Sequence, residues 1–115
     1  MLHIDRLESG SVTVLRLEGD IDEDGMNELR LALMGCIQDH RYNVVVNLEG
    51  VKFVSYMGVG VLVERLRQLR GYGGDMKLVH VNLYTQRLFR MIGVTHVFEL
   101  FDGELIAIQK YQKAA

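Results

Sequence analysis

The stretch Tyr42-Asn43-Val44-Val45-Val46-Asn47-Leu48 limits the folds open to this chain more than any other segment. Successive side chains of a strand point to opposite faces, so a nearly unbroken β-branched run is apolar on both faces and needs cover on both. That is the habit of a strand inside a parallel sheet. Parallel neighbours cannot be joined by tight turns and need crossovers, usually helices. The flanking sequence supplies them. Before the run, Met26, Leu29, Leu33 and Cys36/Ile37 recur at the three-four spacing of one helical face. After it, Val59, Leu62, Val63, Leu66 and Leu69 do the same, with Glu64, Arg65, Arg67, Gln68 and Arg70 as the expected solvated side.

The alternation extends in both directions. Leu2 to Arg6 alternates apolar and polar as a half-exposed strand does, Glu8-Ser9-Gly10-Ser11 is a turn cluster, and Val12 to Leu17 resumes as a second strand. So short a link predicts an antiparallel hairpin. Gly19-Asp20-Ile21-Asp22-Glu23-Asp24 gathers carboxylates where the first helix begins, a place for N-capping and for offsetting the helix dipole. Gly71-Tyr72-Gly73-Gly74 ends the second helix, and Met76 to Val81 reads as a further strand holding His80. A shorter helix is expected over Thr85 to Ile92, with Leu88, Met91 and Ile92 inward and Gly93 as its stop. Val97 to Phe101 reads as a last short strand, and Asp102-Gly103 opens a C-terminal helix through Tyr111. The order β-β-α-β-α-β-α-β-α defines an α/β chain: a mixed, mostly parallel sheet of about five strands carrying about four helices as one pair of layers. With no linker, repeat or low-complexity stretch, residues 1–115 are expected to form one domain.

Composition narrows the function classes. The formal net charge of −2 leaves no basic excess to neutralise phosphates, which argues against nucleic acid as a partner. The N-terminus, Met1-Leu2-His3-Ile4-Asp5, lacks the basic region and long apolar run of a signal peptide. The longest uninterrupted apolar stretches fall far short of the ~20 residues a membrane helix needs. A cytoplasmic protein without membrane insertion is the expectation. The single cysteine, Cys36, lies on a helical apolar face and reads as a buried, inert thiol.

Catalytic and cofactor chemistry leaves little trace. His3, His40, His80 and His96 are widely spread, and none has a ligand-type partner at helical spacing, so no metal is expected. Asp20, Asp22 and Asp24 are explained by capping and solvated charge. No Gly-x-Ser-x-Gly elbow surrounds Ser9, Ser11 or Ser55. Gly58-Val59-Gly60 is a bare pair at a strand-to-helix turn, without the third glycine of a dinucleotide fingerprint or a following Gly-Lys-Ser/Thr. It leaves small-ligand or nucleotide sensing as an outlying reading. No enzyme and no cofactor are expected.

The segment Asn43-Val-Val-Val-Asn-Leu-Glu-Gly-Val-Lys-Phe-Val-Ser-Tyr-Met-Gly-Val-Gly-Val-Leu-Val resembles the central part of STAS domains, found in bacterial anti-sigma-factor antagonists. There a hydrophobic strand leads through Val-x-Phe-hydrophobic-Asp-Ser-Ser/Thr-Gly-Leu-Gly into a helix. Gly19-Asp20-Ile21-Asp22 is similar to the family's Gly-Glu-Leu-Asp, and Leu88 to Phe98, with Met91-Ile92-Gly93-Val94, to its late Leu-x-x-x-Gly-Leu-x-x-x-Phe. The resemblance covers almost the whole chain. It implies signal transduction and transcription regulation by docking onto an anti-sigma factor that is also a serine kinase. In the family that kinase phosphorylates a serine at the start of the second helix.

This sequence departs from the pattern there. Aligning Phe53 and Gly58 places Ser55 at the family's Asp, Tyr56 at the phosphorylated serine and Met57 at the following Ser/Thr. A tyrosine hydroxyl lies several ångströms too far out to stand in for serine. Ser55, one position early, is a substitute site only if the turn or the kinase differs; otherwise the domain is a non-switched binder or its regulation lies elsewhere. Tyr56 and Met57, expected in a surface loop, either pack over the helix start or form an aromatic-plus-thioether docking patch. The expected partner-binding face is Ser55, Tyr56, Met57 and Gly58, with Asp22 and Asp24 as its polar rim. The rival role within the fold is a scaffold subunit of a sensory complex or of a lipid transporter. Oligomeric state is open.

Overall fold

Val44, Val45 and Val46 are completely buried, because the strand that carries them is sandwiched in every direction. This strand, β3 (Asn43–Val54), runs parallel to β2 (Val12–Ile21) on one side and to β4 (Asp75–Val79) on the other. The computed structural model describes residues 1–113. In it the sheet order is β1-β2-β3-β4-β5, with β1 (His3–Ser9) antiparallel to β2 and β5 (Glu99–Phe101) parallel to β4. The opening hairpin closes through Gly10 at φ +58, the left-handed backbone a two-residue turn requires. The remaining connections carry α1 (Glu23–Gln38), α2 (Tyr56–Gly71) and α3 (Leu83–Ile92), and α4 (Glu104–Lys113) follows β5. The five-strand, four-helix order read from the sequence is the one observed.

The helices do not form a single layer. Leu15, Leu17, Val44, Val46, Met76 and Leu78 face α1, α2 and α3 in the larger core. Val12, Val14, Val45 and Val79 point the other way and pack with Ala107, Ile108 and Tyr111 of α4. A run apolar at every position obliges this arrangement, since one helical layer covers only alternate residues.

Polar anchors hold α4 in place. The Tyr111 hydroxyl donates to the Val44 carbonyl at 2.7 Å, and burial pushes its pKa up. The Lys77 ammonium, 4.5 Å from the Tyr111 ring centre, pairs with Asp75 at 2.9 Å and Glu99 at 2.7 Å. At the start of α4, Glu104 accepts two bonds from Arg16, at 2.8 and 2.9 Å, and one from Asn47 at 2.6 Å. The Arg16 guanidinium, helped by Asn47, holds the Glu104 carboxyl below its usual range.

Four local expectations give way. Arg65, assigned to the solvated side of α2, is 6% exposed; its Nη1 donates to Gln68 while Nε has no partner among the described residues. In α3 Leu88 and Ile92 pack partly buried against the core as expected, but the fully buried pair is Thr85 and Phe89, with Phe89 stacked on Phe98 at 5.2 Å, whereas Met91 is 84% exposed. The helix begins at Leu83 rather than Thr85, and its inward stripe is Thr85, Leu88, Phe89 and Ile92 at three-four spacing, with Met91 off it. His80 lies beyond the end of β4, exposed and at φ +57, not inside a strand. Finally β3 continues past Leu48 to Val54, because β2 stays paired with it as far as Ile21.

Two predictions follow from the anchors and from Arg65. Because the native Glu104 pKa lies below that of the unfolded chain, its contribution is present above the ordinary carboxylate range, near 4.5, and drains away as pH falls through the native value. In urea titrations the gap between wild type and Glu104→Gln should therefore shrink from neutral pH to about pH 3; an unchanged gap would refute the pairing. Arg65→Met, which removes a buried cation without a carboxylate partner, should stabilise the fold by roughly 1 kcal/mol or more. A lower melting temperature would show that the guanidinium is better satisfied than its neighbours indicate.

Candidate functional site

The adjacent, parallel ends of β2 and β3 start two helices side by side. Ile21 is in register with Val54, and the Ser55 amide donates to the Ile21 carbonyl at 2.8 Å. The next residue on each chain segment is a cap. The Asp22 carboxylate accepts from the Gly25 amide at 2.9 Å, and the Ser55 hydroxyl from the Gly58 amide at 2.9 Å. Each cap satisfies one of the orphan donors of a helix start.

Both third helical positions are glycine for a steric reason. A Cβ on Gly25 would lie 2.1 Å from the Asp20 carbonyl oxygen. One on Gly58 would lie 2.8 Å from Ile21 Cγ2 and 3.2 Å from both the Ile21 oxygen and the Ser55 hydroxyl. The two helix starts thus lean on the end of β2, and Gly58 is a packing residue, not a phosphate cradle. Gly60, one position beyond Val59, is exposed with open space around it. Both glycines of the Gly58-Val59-Gly60 pair lie within α2, so neither belongs to a strand-to-helix loop.

Tyr56 and Met57 occupy the first turn of α2 instead of the expected loop, and both are 69% exposed. A first-turn side chain is fixed in direction by the helix, so the aromatic ring and thioether are presented outward from a rigid base. Ser55 is half-buried, its oxygen engaged in the cap. The electrostatics of the two helix starts differ. The first turn of α1 holds Glu23 and Asp24 behind the capping Asp22, while that of α2 has no acid at all. The positive end of the α2 dipole is therefore offset only by a hydroxyl. Asp24 is exposed and Asp22 half-buried, so Asp22 acts first as a cap. The structure places all six residues singled out in the sequence at the same end of the sheet.

The sequence reading missed the neighbouring corner. The Asn82 side chain caps α3 through the Thr85 amide at 2.8 Å and donates to the Val51 and Lys52 carbonyls, each at 3.3 Å. This ties the start of α3 to the end of β3 and sets the Tyr84 ring 6.3 Å from that of Phe53. The signal lay in the phase of α3: Leu83 and Tyr84 fall outside the Thr85–Phe89 stripe and cannot reach the core. Among the described residues, no group of three or more His, Cys, Asp or Glu is arranged to hold a metal ion. No described helix is long and apolar enough to cross a membrane. Cys36 is buried, which raises its thiol pKa.

The STAS domain family model matches residues 3–104, and the chain belongs to that family. It is 26% identical over 112 residues to an anti-sigma F factor antagonist of Paenibacillus polymyxa, covering 96% of each chain. A solved anti-sigma factor antagonist from Mycobacterium paratuberculosis superposes with a TM-score of 0.85 at 21% identity, over 96% of this chain and 93% of that one. The phosphorylated form of the Bacillus cell fate determinant SpoIIAA does so with a TM-score of 0.73 at 20% identity, over 96% and 99%.

The two glycines separate cleanly in a stability measurement. Gly58→Ala should destabilise by roughly 1–3 kcal/mol, as expected for overpacking. Gly60→Ala, at an exposed helix-interior position with free space, should stabilise by up to about 1 kcal/mol. Equal effects in denaturant melts would contradict the close contact with Ile21.

Proposed function

We propose that this protein is a non-catalytic binding module that acts as an anti-sigma-factor antagonist, docking onto an anti-sigma factor that is also a serine kinase and so regulating transcription. The observation that carries the reading is the rigid presentation of Tyr56 and Met57 at the start of α2, beside the acidic start of α1, in a STAS fold. The relatives named as antagonists support it, and the match to the Paenibacillus protein spans 96% of each chain. Aromatic and methionine side chains are favoured in interface centres, and a carboxylate rim adds orientation.

The docking residues on this reading are Ser55, Tyr56, Met57 and Gly58, with Asp22 and Asp24 at the rim. The usual serine switch is absent. Tyr56 stands where the family's serine is modified, and the Ser55 hydroxyl is committed to the cap. The same substitution favours a second reading, in which the domain is a scaffold subunit of a sensory complex or of a lipid transporter, roles that need no phosphoryl switch.

The test is affinity capture from the source cell followed by identification of the bound proteins. An anti-sigma factor with a kinase fold is expected, and binding should weaken roughly tenfold in Tyr56→Ala/Met57→Ala. Transporter or sensory-complex subunits in its place would move the role to a scaffold. Incubation with the captured kinase and ATP should leave the protein unmodified; phosphate on Ser55 would overturn the unswitched reading.

A further inference from the structure

We infer that the docking face is wider than the α2 start, running across the β3–α3 corner to Phe53, Leu83 and Tyr84, and that it selects a partner surface with lysines or arginines flanking an apolar centre. The inference rests on the binding role proposed above and adds the chemistry of the partner.

The apolar part is visible in the exposures. Leu83 is 68% exposed, Tyr84 54% and Phe53 39%, beside Tyr56 and Met57 at 69% each. Scattered single exposed apolar residues are ordinary, but a group at one end of the fold, on three elements, is not. They are held there by structure. Asn82 fixes the start of α3 to the Val51 and Lys52 carbonyls, and Ser55 fixes the start of α2 to Ile21. The patch is therefore built on element ends with little freedom, which lowers the entropy lost when a partner covers it.

Charge defines the partner. On the β2 side of the patch, Asp20, Asp22, Glu23 and Asp24 place four carboxylates within five residues. None of the four is in an ion pair among the described residues. Capping accounts for Asp22, and the α1 dipole favours Glu23 and Asp24, but Asp20 is the last residue but one of β2 and serves neither purpose. Elsewhere on the protein several carboxylates are matched, Asp39 and Glu8 with Arg6, Asp75 and Glu99 with Lys77, and Glu104 with Arg16, while the unpaired Glu18, Glu28, Glu49, Glu64 and Asp102 are spread along the chain. Only here do unpaired acids crowd into one short segment among the described residues. An unmatched negative flank beside an apolar patch complements a cationic flank beside an apolar patch. A second copy of this chain does not fit that description, because it would bring the same carboxylates.

The test uses the purified partner identified by affinity capture, with affinity and association rate measured at low and high salt. Phe53→Ser/Tyr84→Ser should weaken binding roughly tenfold with the melting temperature held. Asp20→Lys/Asp24→Lys should slow association and flatten its salt dependence, whereas Glu8→Lys, at the opposite end of the sheet, should change neither. If Phe53→Ser/Tyr84→Ser binds within twofold of wild type while Tyr56→Ala/Met57→Ala does not, the wider face is wrong and the proposed function stands. If the acidic variant binds as fast as wild type, or faster, the cationic partner is wrong. Capture of no partner, or self-association as the only interaction, would overturn both the face and the reading beneath it.

Discussion

The parallel pairing of β2 with β3, carried through two register shifts to the last residue of each strand, is the constraint on which the rest of the structure depends. Because Ile21 and Val54 are partners, Asp22 and Ser55 emerge side by side, and two helices must start within a few ångströms of one another. That proximity is tolerable only if the third residue of each helix has no side chain. Gly25 and Gly58 meet the requirement against the Asp20 carbonyl and against Ile21. The same closeness puts an acid-capped helix start beside a hydroxyl-capped one, so that a single surface carries two electrostatic characters. Core, caps and candidate docking face are thus consequences of one register.

β3 also divides the molecule in two. Its even-numbered valines, Val44 and Val46, feed the core under α1, α2 and α3, and Val45 feeds the smaller one under α4. The smaller core has few apolar residues, and its helix is held largely by polar anchors on Arg16, Asn47 and Lys77. Such anchors are worth less than burial when exposed and respond to pH, so the α4 side is the more labile half. The starts of α1 and α2 draw instead on the larger core.

Much of this was legible in the sequence because the signals were periodic. The valine run, the two apolar helical stripes and the Gly-Asp-Ile-Asp start of α1 identified the sheet, its neighbours and the position of the site. What failed was one stripe. In α3 Leu88 and Ile92 lie inward as expected, but the three-four spacing completes their face with Thr85 and Phe89 and leaves Met91 outside it. Arg65 misled for a different reason: a charged residue is assigned to solvent by type, yet the long arginine stem on α2 is buried with its Nη1 on Gln68. The second layer was hidden because α4 contributes only Ala107 as a fully buried residue, too little for a recognisable stripe. Tyr56 and Met57 were placed in a loop because the helix was expected to begin after Gly58, when the true start is the Ser55 cap.

The cap also bears on why a chain of this family would carry tyrosine at the switch position. A phosphate on a first-turn serine sits among the free amides at the helix end, where the dipole and the donors hold it against the protein. It then makes the start of α2 as negative as the start of α1. A phosphate on Tyr56 would sit at the far end of an exposed ring, beyond reach of those amides, and would neither be held by the helix nor settle its charge. With Ser55 closing the cap and no acid in the first turn, the α2 start is fixed as an uncharged, weakly positive end. On the proposed reading the face therefore keeps one electrostatic profile, negative at α1 and neutral with apolar side chains at α2.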